Sequence, residues 1–474
     1  MVDNSWIKRD GSKPAADKHA SMMTIKVVIT VIILLSGTIV AIAVHSVGGN
    51  ASMYQAEGIL IDAGEHRTFW TNISYSESSD DPLELLENAC TLNSYMAVIE
   101  DGKPVSITID GTVYANTLER KWDLWYVEKG AYDYQKSESL TISASDYTIV
   151  TWAYMTSTET PSVAVDATAT CIYGYSRPAT TVTLSPVCTE LVGSMKATST
   201  IIGTDNSSNY PTAVATGKAN KTIAVVGTYT DPSYEAIMST GADMVICDGS
   251  QLSHTEMASS LRNSNKNALV VYNGNDFDSL LKNVFIVGAA MGYEQRAKDV
   301  IDELELAYNT LVAMTSSYTG KNTMVTLGSN PSPYVAASQT YIDDIIMSMD
   351  GTNVFSYLTG WPQVISEYIQ SKNPSCIVVL DEGRYTVDEY DLFLSTLSQE
   401  WKNTTAYSNG DVYIFCGKLG EMSQRYGPRM IQLAELLARI ITPEAFTDGI
   451  VLPKAIGDNY QDYLTVTKDL GYDL

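Results

Sequence analysis

The chain has 474 residues, 30 Lys+Arg against 55 Asp+Glu, and a formal net charge of −25. At roughly 100–200 residues per domain this length predicts two to four domains, and a 45% hydrophobic content supplies their cores. A charge this negative repels phosphate backbones and argues against nucleic acid as a partner.

The charge is unevenly distributed. Residues 1–26 hold Lys8, Arg9, Lys13, Lys18 and Lys26 against Asp3, Asp10 and Asp17, a net of +2, which leaves −27 for the rest. The sign changes across Val27 to Val44, 18 residues without a charge. That run reaches the lower end of the roughly 17–25 residues a spanning helix needs. Residues 27–47 are therefore read as a transmembrane anchor. With the basic flank first, 1–26 becomes a cytoplasmic tail and the main body lies outside the cell membrane. A cleaved signal peptide, with Ala41 and Ala43 near its cleavage site, is the rival reading.

Residues 57–156 read as a small α+β domain. Gly58–Asp62, Ser106–Ile109, Trp122–Val127 and Tyr147–Trp152 are strand-like, and Pro82–Cys90 is the single helix. Trp70, Trp122, Trp125 and Trp152 fall here, and core packing is favoured over a ligand-stacking face. Residues 157–176, rich in Thr, Ala and Ser, suit a linker or an edge strand.

From Arg177 onward the pattern alternates β and α, which predicts parallel sheets covered by helices. Strands are expected at Thr181–Leu184, Ser199–Gly203, Thr222–Val226, Met244–Cys247, Ala268–Tyr272, Asn322–Leu327, Cys376–Leu380 and Val412–Cys416. Between the two sets lies a long helix, Glu294–Ser317. Its Ala297, Val300, Ile301, Leu304, Tyr308 and Leu311 keep one apolar face, so it suits a spine joining two lobes. The halves echo each other: Glu235-x-Ile237-x-Ser239 precedes apolar Met244-Val245-Ile246, and Glu367-x-Ile369-x-Ser371 precedes Cys376-Ile377-Val378 at the same offsets.

Six cysteines in a chain this long make no disulfide scaffold, and no CxxC occurs. A Cys171–Cys188 bridge is left open. Phosphate-loop, esterase and dinucleotide motifs are missing. Beyond the anchor only His66 and His254 remain, which argues against a His triad or a His-rich metal site. Binding is favoured over catalysis, with no resident cofactor or metal.

Residues 178–443 resemble the cobalamin- and ferric-siderophore-binding family of ABC-transporter substrate-binding proteins. The resemblance rests on an ordered set: Thr181–Leu191, Gly203-Thr204-Asp205, Tyr210-Pro211, Val226–Tyr229, Ser233–Ile237, Ala242–Ile246, Gly360–Glu367 and Gly427-Pro428-Arg429. It implies a bilobed α/β fold, with lobe 1 at 177–292, a connecting helix at 293–318, lobe 2 at 319–445 and a C-terminal tail at 446–474. It implies a ligand held between the lobes by Pro186, Tyr210, Tyr229 and Trp361. Lys418, Arg425 and Arg429 would sit at the cleft rim to meet anionic groups, while Glu190 would be structural near its helix start. Glu235 and Glu367 match the acidic pair that docks onto permease arginines. Gly417–Tyr426 is longer than the family norm.

Residues 57–155 look similar to the transcobalamin C-terminal-like β domain, through Gly58–Asp62, the Leu83–Cys90 helix, Trp122–Tyr126 and Asp146–Tyr154. Together the resemblances imply a membrane-tethered protein that delivers a metal chelate to the permease and ATPase of an ABC importer. The chelate is a corrinoid first, a ferric siderophore or haem next. The alternative is a cell-surface interaction or adhesion protein that uses the module as a scaffold.

Overall fold

The computed structural model describes residues 58–470, apart from 65–66, 72–81, 93, 129–133, 138–146, 162, 169, 174–177, 330–331, 382 and 469. The expected tail and anchor, residues 1–26 and 27–47, lie outside the described residues. Among those described, no helix is long and apolar enough to cross a membrane.

The β-rich part contains β1 (Gly58–Asp62), β2 (Arg67–Thr71), α1 (Pro82–Leu92), β3 (Met96–Glu100), β4 (Lys103–Ile109), β5 (Thr112–Ala115), β6 (Lys121–Glu128), β7 (Gln135–Lys136) and β8 (Tyr147–Met155). One sheet has the order β2-β1-β8-β6-β7; β3, β4 and β5 form a second, antiparallel sheet. Strand alternation decides what turns inward. Ile59 and Ile61, Trp122 and Leu124, and Val150 and Trp152 share a core with Leu85, Leu86 and Ala89 of α1. Trp122, Trp125 and Trp152 are all buried. The indole N–H of Trp122 donates to the Tyr114 carbonyl at 2.8 Å, and that of Trp152 to the Pro82 carbonyl at 3.0 Å. Core packing thus accounts for these three tryptophans; the Trp70 side chain lies outside the described residues.

The described residues of 157–176 include an edge hairpin, the second of the two readings expected for this stretch. β9 (Val163–Val165) pairs antiparallel with β10 (Cys171–Tyr173). Buried Asp166 in the turn between them receives the Arg262 guanidinium and, at 2.9 Å, the Val270 N–H. The Ala167 N–H donates to the Val270 carbonyl at 3.0 Å. The hairpin therefore caps the edge of the next sheet, whose unpaired backbone groups would otherwise face solvent.

Lobe 1 comprises β11 (Thr181–Thr183), α2 (Pro186–Ser194), β12 (Ile201–Thr204), α3 (Thr212–Ala219), β13 (Ala224–Val225), α4 (Tyr234–Thr240), β14 (Met244–Asp248), α5 (Leu252–Asn263) and β15 (Asn267–Val271). Its five strands are parallel, in the order β13-β12-β11-β14-β15. Every residue of β14 is buried, as expected of a strand covered on both faces. Cys188 is a free thiol enclosed in α2, which closes the question of a Cys171–Cys188 bridge that the sequence left open. Burial pushes that thiol well above its ordinary range.

Two helices lead out of lobe 1, α6 (Phe277–Met291) and α7 (Glu294–Thr315). α7 is the expected spine, and all six predicted apolar positions are buried. Its N-terminal part lies so close to α6 that a Cβ on Gly288 would sit 2.3 Å from the Cβ of Ala297. Only glycine permits that approach.

Lobe 2 comprises β16 (Asn322–Leu327), β17 (Tyr334–Val335), α8 (Tyr341–Ser348), β18 (Thr352–Asn353), α9 (Ser366–Lys372), β19 (Cys376–Leu380), α10 (Tyr390–Thr396), α11 (Gln399–Lys402), α12 (Thr405–Ser408), β20 (Val412–Phe415), α13 (Gly417–Met422), α14 (Met430–Ile441) and β21 (Ala455–Ile456). The sheet runs β17-β16-β19-β20-β21, with β18 also on β16. Residues 446–474, expected as a tail, supply β21 to this sheet. Buried Glu435 holds the stretch after β21, accepting the N–H of Thr465 at 2.7 Å and that of Thr467 at 2.8 Å. One hydrophobic core runs from α2 and α6 through α7 to α8 and α14, which ties both lobes to the spine.

The predicted echo is structural. α4 ends on Gly241 and α9 on Asn373, both in the left-handed conformation that closes a helix. Each then feeds a fully buried strand, β14 or β19, that lies inside its sheet.

Candidate functional site

In parallel α/β sheets the carboxyl ends of the strands are where ligands gather. β11 leads into Ser185 and Pro186, β12 leads into Asp205, and β14 ends at Asp248. Ser185 caps α2, its Oγ accepting the Cys188 N–H at 3.1 Å, and Pro186 follows, half-buried, in the first turn. Asp205 is buried and accepts the N–H groups of Ser207 and Ser208 and the Ser208 hydroxyl.

Tyr229 is brought into this group. Its hydroxyl lies 2.9 Å from Ser250 Oγ and accepts from Gln251 at 3.0 Å. Burial, then the nearby Asp248 charge, push its phenol up to about 12. His254 pins the arrangement from below. Its Nδ1 accepts the Asp248 N–H at 3.0 Å, so Nε2 carries the proton and donates to the Tyr229 carbonyl at 2.7 Å. Burial lowers its pKa, in keeping with that neutral form.

Lobe 2 meets these residues through the stretch from α13 to α14. The Tyr426 hydroxyl donates to Asp248 Oδ1 across the seam. Its ring lies so close to Gly274 that a Cβ there would be 2.0 Å away. Burial and the Asp248 charge push the Tyr426 phenol well above its ordinary range. Arg429 donates to Glu190 of lobe 1 through Nε at 3.0 Å and Nη2 at 2.5 Å, and Arg425 Nη1 adds a third contact at 3.3 Å. The Arg429 guanidinium also covers the Tyr210 ring at 3.8 Å. Burial pushes the Glu190 carboxyl up, but Arg429 and Arg425 outweigh it and hold the group below its ordinary range.

The expected rim cations Arg425 and Arg429 are thus corrected. Arg429 is 7% exposed and both are paired with a buried carboxylate, so neither stands free at a rim. Lys418 is the one that faces solvent, its side chain 73% exposed and 4.0 Å from Asp458. Glu190, expected to serve its own helix start, instead joins the lobes. Trp361 is half-buried and packs against the main core beside lobe 2. Tyr210 and Arg429 come together, as do Tyr229 and the Asp248 group. Glu235 and Glu367 stand apart from the seam chemistry, exposed in the first turns of α4 and α9.

Sequence reasoning missed Asp248 and Tyr426. Asp248 did carry a signal: a carboxylate closing the buried run Met244–Cys247, where a parallel strand reaches its ligand-facing end. Asp344 was also missed. It accepts the Phe277 N–H at 3.0 Å and the Tyr308 hydroxyl at 3.0 Å, tying α8 to α6 and α7.

Residues 181–417, half of the chain, match the family model described as periplasmic binding protein. The chain belongs to this family. A Bacillus subtilis (strain 168) protein described as the uncharacterized ABC transporter substrate-binding lipoprotein YvrC is 23% identical over 276 residues, 57% of this chain and 82% of that protein. The Fe(3+)-citrate-binding protein YfmC of the same strain is 22% identical over 189 residues, 40% of this chain and 58% of that protein. Among solved structures, the periplasmic heme-binding protein RhuT from Roseiflexus sp. RS-1, in apo form, is 20% identical with a TM-score of 0.49, covering 57% of this chain and 100% of that one. The family is one of solute-binding proteins and not of enzymes.

Proposed function

We propose that this chain is the membrane-tethered, extracytoplasmic solute-binding component of an ABC importer, capturing a metal chelate and handing it to the permease and ATPase. The observation that carries the reading is a periplasmic-binding-protein fold whose two lobes meet at the carboxyl ends of their strands, over tyrosines. The relatives' printed names, an ABC transporter substrate-binding lipoprotein and an Fe(3+)-citrate-binding protein, support it. A corrinoid is the first candidate, with ferric siderophore or haem next. The resemblance of residues 57–155 to the transcobalamin C-terminal-like domain supports that order.

Ligand contact is assigned to Pro186, Tyr210, Tyr229 and Trp361, with Lys418 at the margin. Flat chelates are gripped by aromatic faces in concave sites. Tethering is assigned to residues 27–47. Permease docking is assigned to Glu235 and Glu367, which sit at equivalent places in the two repeats. Tyr234, next to Glu235 in the chain, lines an open groove of about 450 Å³ with Asp231, Glu256 and Met257 among others. Its acidity suits a basic partner.

The test is titration of the detergent-solubilised full chain with cyanocobalamin, dicyanocobinamide, haemin and ferric siderophores, followed by tryptophan fluorescence. Saturable binding of one class is expected; no saturable binding to any would sink the transport reading.

A further inference from the structure

The seam contains more acid than its neighbouring cations answer, and this bears on the kind of chelate it accepts. Three cations from the lobes converge near Glu190 and Asp205. Arg425 and Arg429 are both bound to Glu190, which is 3% exposed. Arg425 also donates to Asn209 at 2.8 Å and lies 3.5 Å from Glu421. Lys218 donates to the carbonyls of Asp205 and Asn206, at 3.3 Å and 2.8 Å. Lys418, out in solvent, is screened and contributes little.

Asp248 has no such partner. It is fully buried and makes no ion pair among the described residues. Its Oδ1 accepts from the Ser250 N–H at 2.9 Å, from the Ser250 hydroxyl at 2.7 Å and from Tyr426. Its Oδ2 is buried and accepts from nothing among the described residues. A buried carboxylate oxygen without a donor is costly and rare. Tyr426, which covers it, comes from the opposite lobe. Separating the lobes therefore removes one donor from Asp248 and opens the carboxylate to whatever enters.

We propose that the cleft selects chelates whose edge carries hydrogen-bond donors over chelates whose edge carries carboxylates, with Glu190 and Asp248 setting the preference. This rests on the solute-binding reading and names the ligand class within it. Glu190 acts as a resident carboxylate on the two guanidiniums. An incoming carboxylate must displace it from a bidentate, buried pair, which leaves Glu190 itself unpaired. Asp248 repels a second anion and accepts an amide N–H or a hydroxyl. A corrinoid fringed with carboxamides meets these terms. Ferric citrate and the propionates of haem do not.

The experiment is a calorimetric titration of the full chain with cyanocobalamin, dicyanocobinamide, haemin and ferric citrate. The corrinoids are expected to bind at least tenfold tighter than haemin or ferric citrate. D248N is expected to weaken the corrinoids about tenfold and to tighten haemin, since it removes the charge that repels the propionates. E190Q is expected to narrow or reverse the ranking by freeing two cations. Tightest binding of ferric citrate or haemin by the unmodified chain overturns the proposal and leaves the solute-binding reading standing. No binding by any of the four overturns both. If E190Q does not fold, the ranking on the unmodified chain and D248N still decide. Unchanged corrinoid binding by D248N removes Asp248 from the assignment.

Discussion

Lobe 1 brings two carboxylates to the seam, Glu190 from α2 and Asp248 from the end of β14. Lobe 2 brings the donors, Arg425, Tyr426 and Arg429, all from one short stretch between α13 and α14. Elsewhere the lobes repeat each other, down to the left-handed residue that closes α4 and α9 before each buried strand. The repeat thus covers the scaffold and not the chemistry where the lobes meet. A second difference points the same way. On α4, Tyr234 lines an acidic groove, whereas on α9 Tyr368 meets the Tyr357 ring edge-on, with Lys372 Nζ 3.9 Å above the Tyr357 ring. Equivalent helices therefore present different surfaces to a partner.

The harshest way to break the seam is Glu190→Ala. It leaves two guanidiniums facing each other in a dry site, and a loss of roughly 3–5 kcal/mol is expected in urea denaturation. A loss below about 1 kcal/mol would show that the acid–base division does not hold the lobes together.

Asp344→Asn tests the reverse arrangement, an acid from lobe 2 that receives donors from α6 and α7. Burial above all pushes the Asp344 carboxyl up to about 6 from its ordinary 3.8. Between those values the folded state binds the extra proton, so stability falls as pH rises through the window. The asparagine keeps an acceptor for Phe277 and Tyr308 without the charge. It should be more stable than the parent by roughly 2 kcal/mol at neutral pH, with the gain gone below about pH 4. A gain that does not change with pH would refute the assignment.

Tyr426→Phe keeps the ring against Gly274 but withdraws its hydroxyl from Asp248. A cost of about 1–2 kcal/mol is expected, read by thermal and chemical denaturation. Unchanged stability would mean that Asp248 does not depend on lobe 2. The gentlest test is the Glu235→Ala/Glu367→Ala pair. Both residues are exposed, so stability should stay within about 0.5 kcal/mol and chelate binding should be unaltered. On the proposed function, the pair fails to stimulate the transporter's ATPase, and full stimulation would refute the docking role.

Much of the fold was legible because it is written locally. The spine was read from one apolar face at helical spacing, and its six positions are buried. β1, β16 and β19 were placed to the residue, since Gly58–Asp62, Asn322–Leu327 and Cys376–Leu380 are bounded runs rich in aliphatic side chains. For residues 157–176 the edge-strand alternative is the one the structure bears out, through β9 and β10, whereas 446–474 were misjudged as a tail. Polar, Thr-rich text looks like slack chain, and only Asp166 on Val270 and Glu435 on Thr465 and Thr467 show that it is tied down.

The site was half legible for the same reason. The family resemblance marked Tyr210, Tyr229, Arg425 and Arg429 as worth following, and the resemblance together with the repeat spacing marked Glu235 and Glu367. What Arg429 does was not legible. Its partner Glu190 lies 239 positions away, and Tyr426 lies 178 positions from Asp248. By itself the sequence determined two α/β repeats, the helix between them and an excess of acid, because propensity, periodicity and charge act over a few residues. The tertiary structure decided which acids are neutralised and which one is left short of a donor. Burial and pairing depend on groups that only the folded chain brings together.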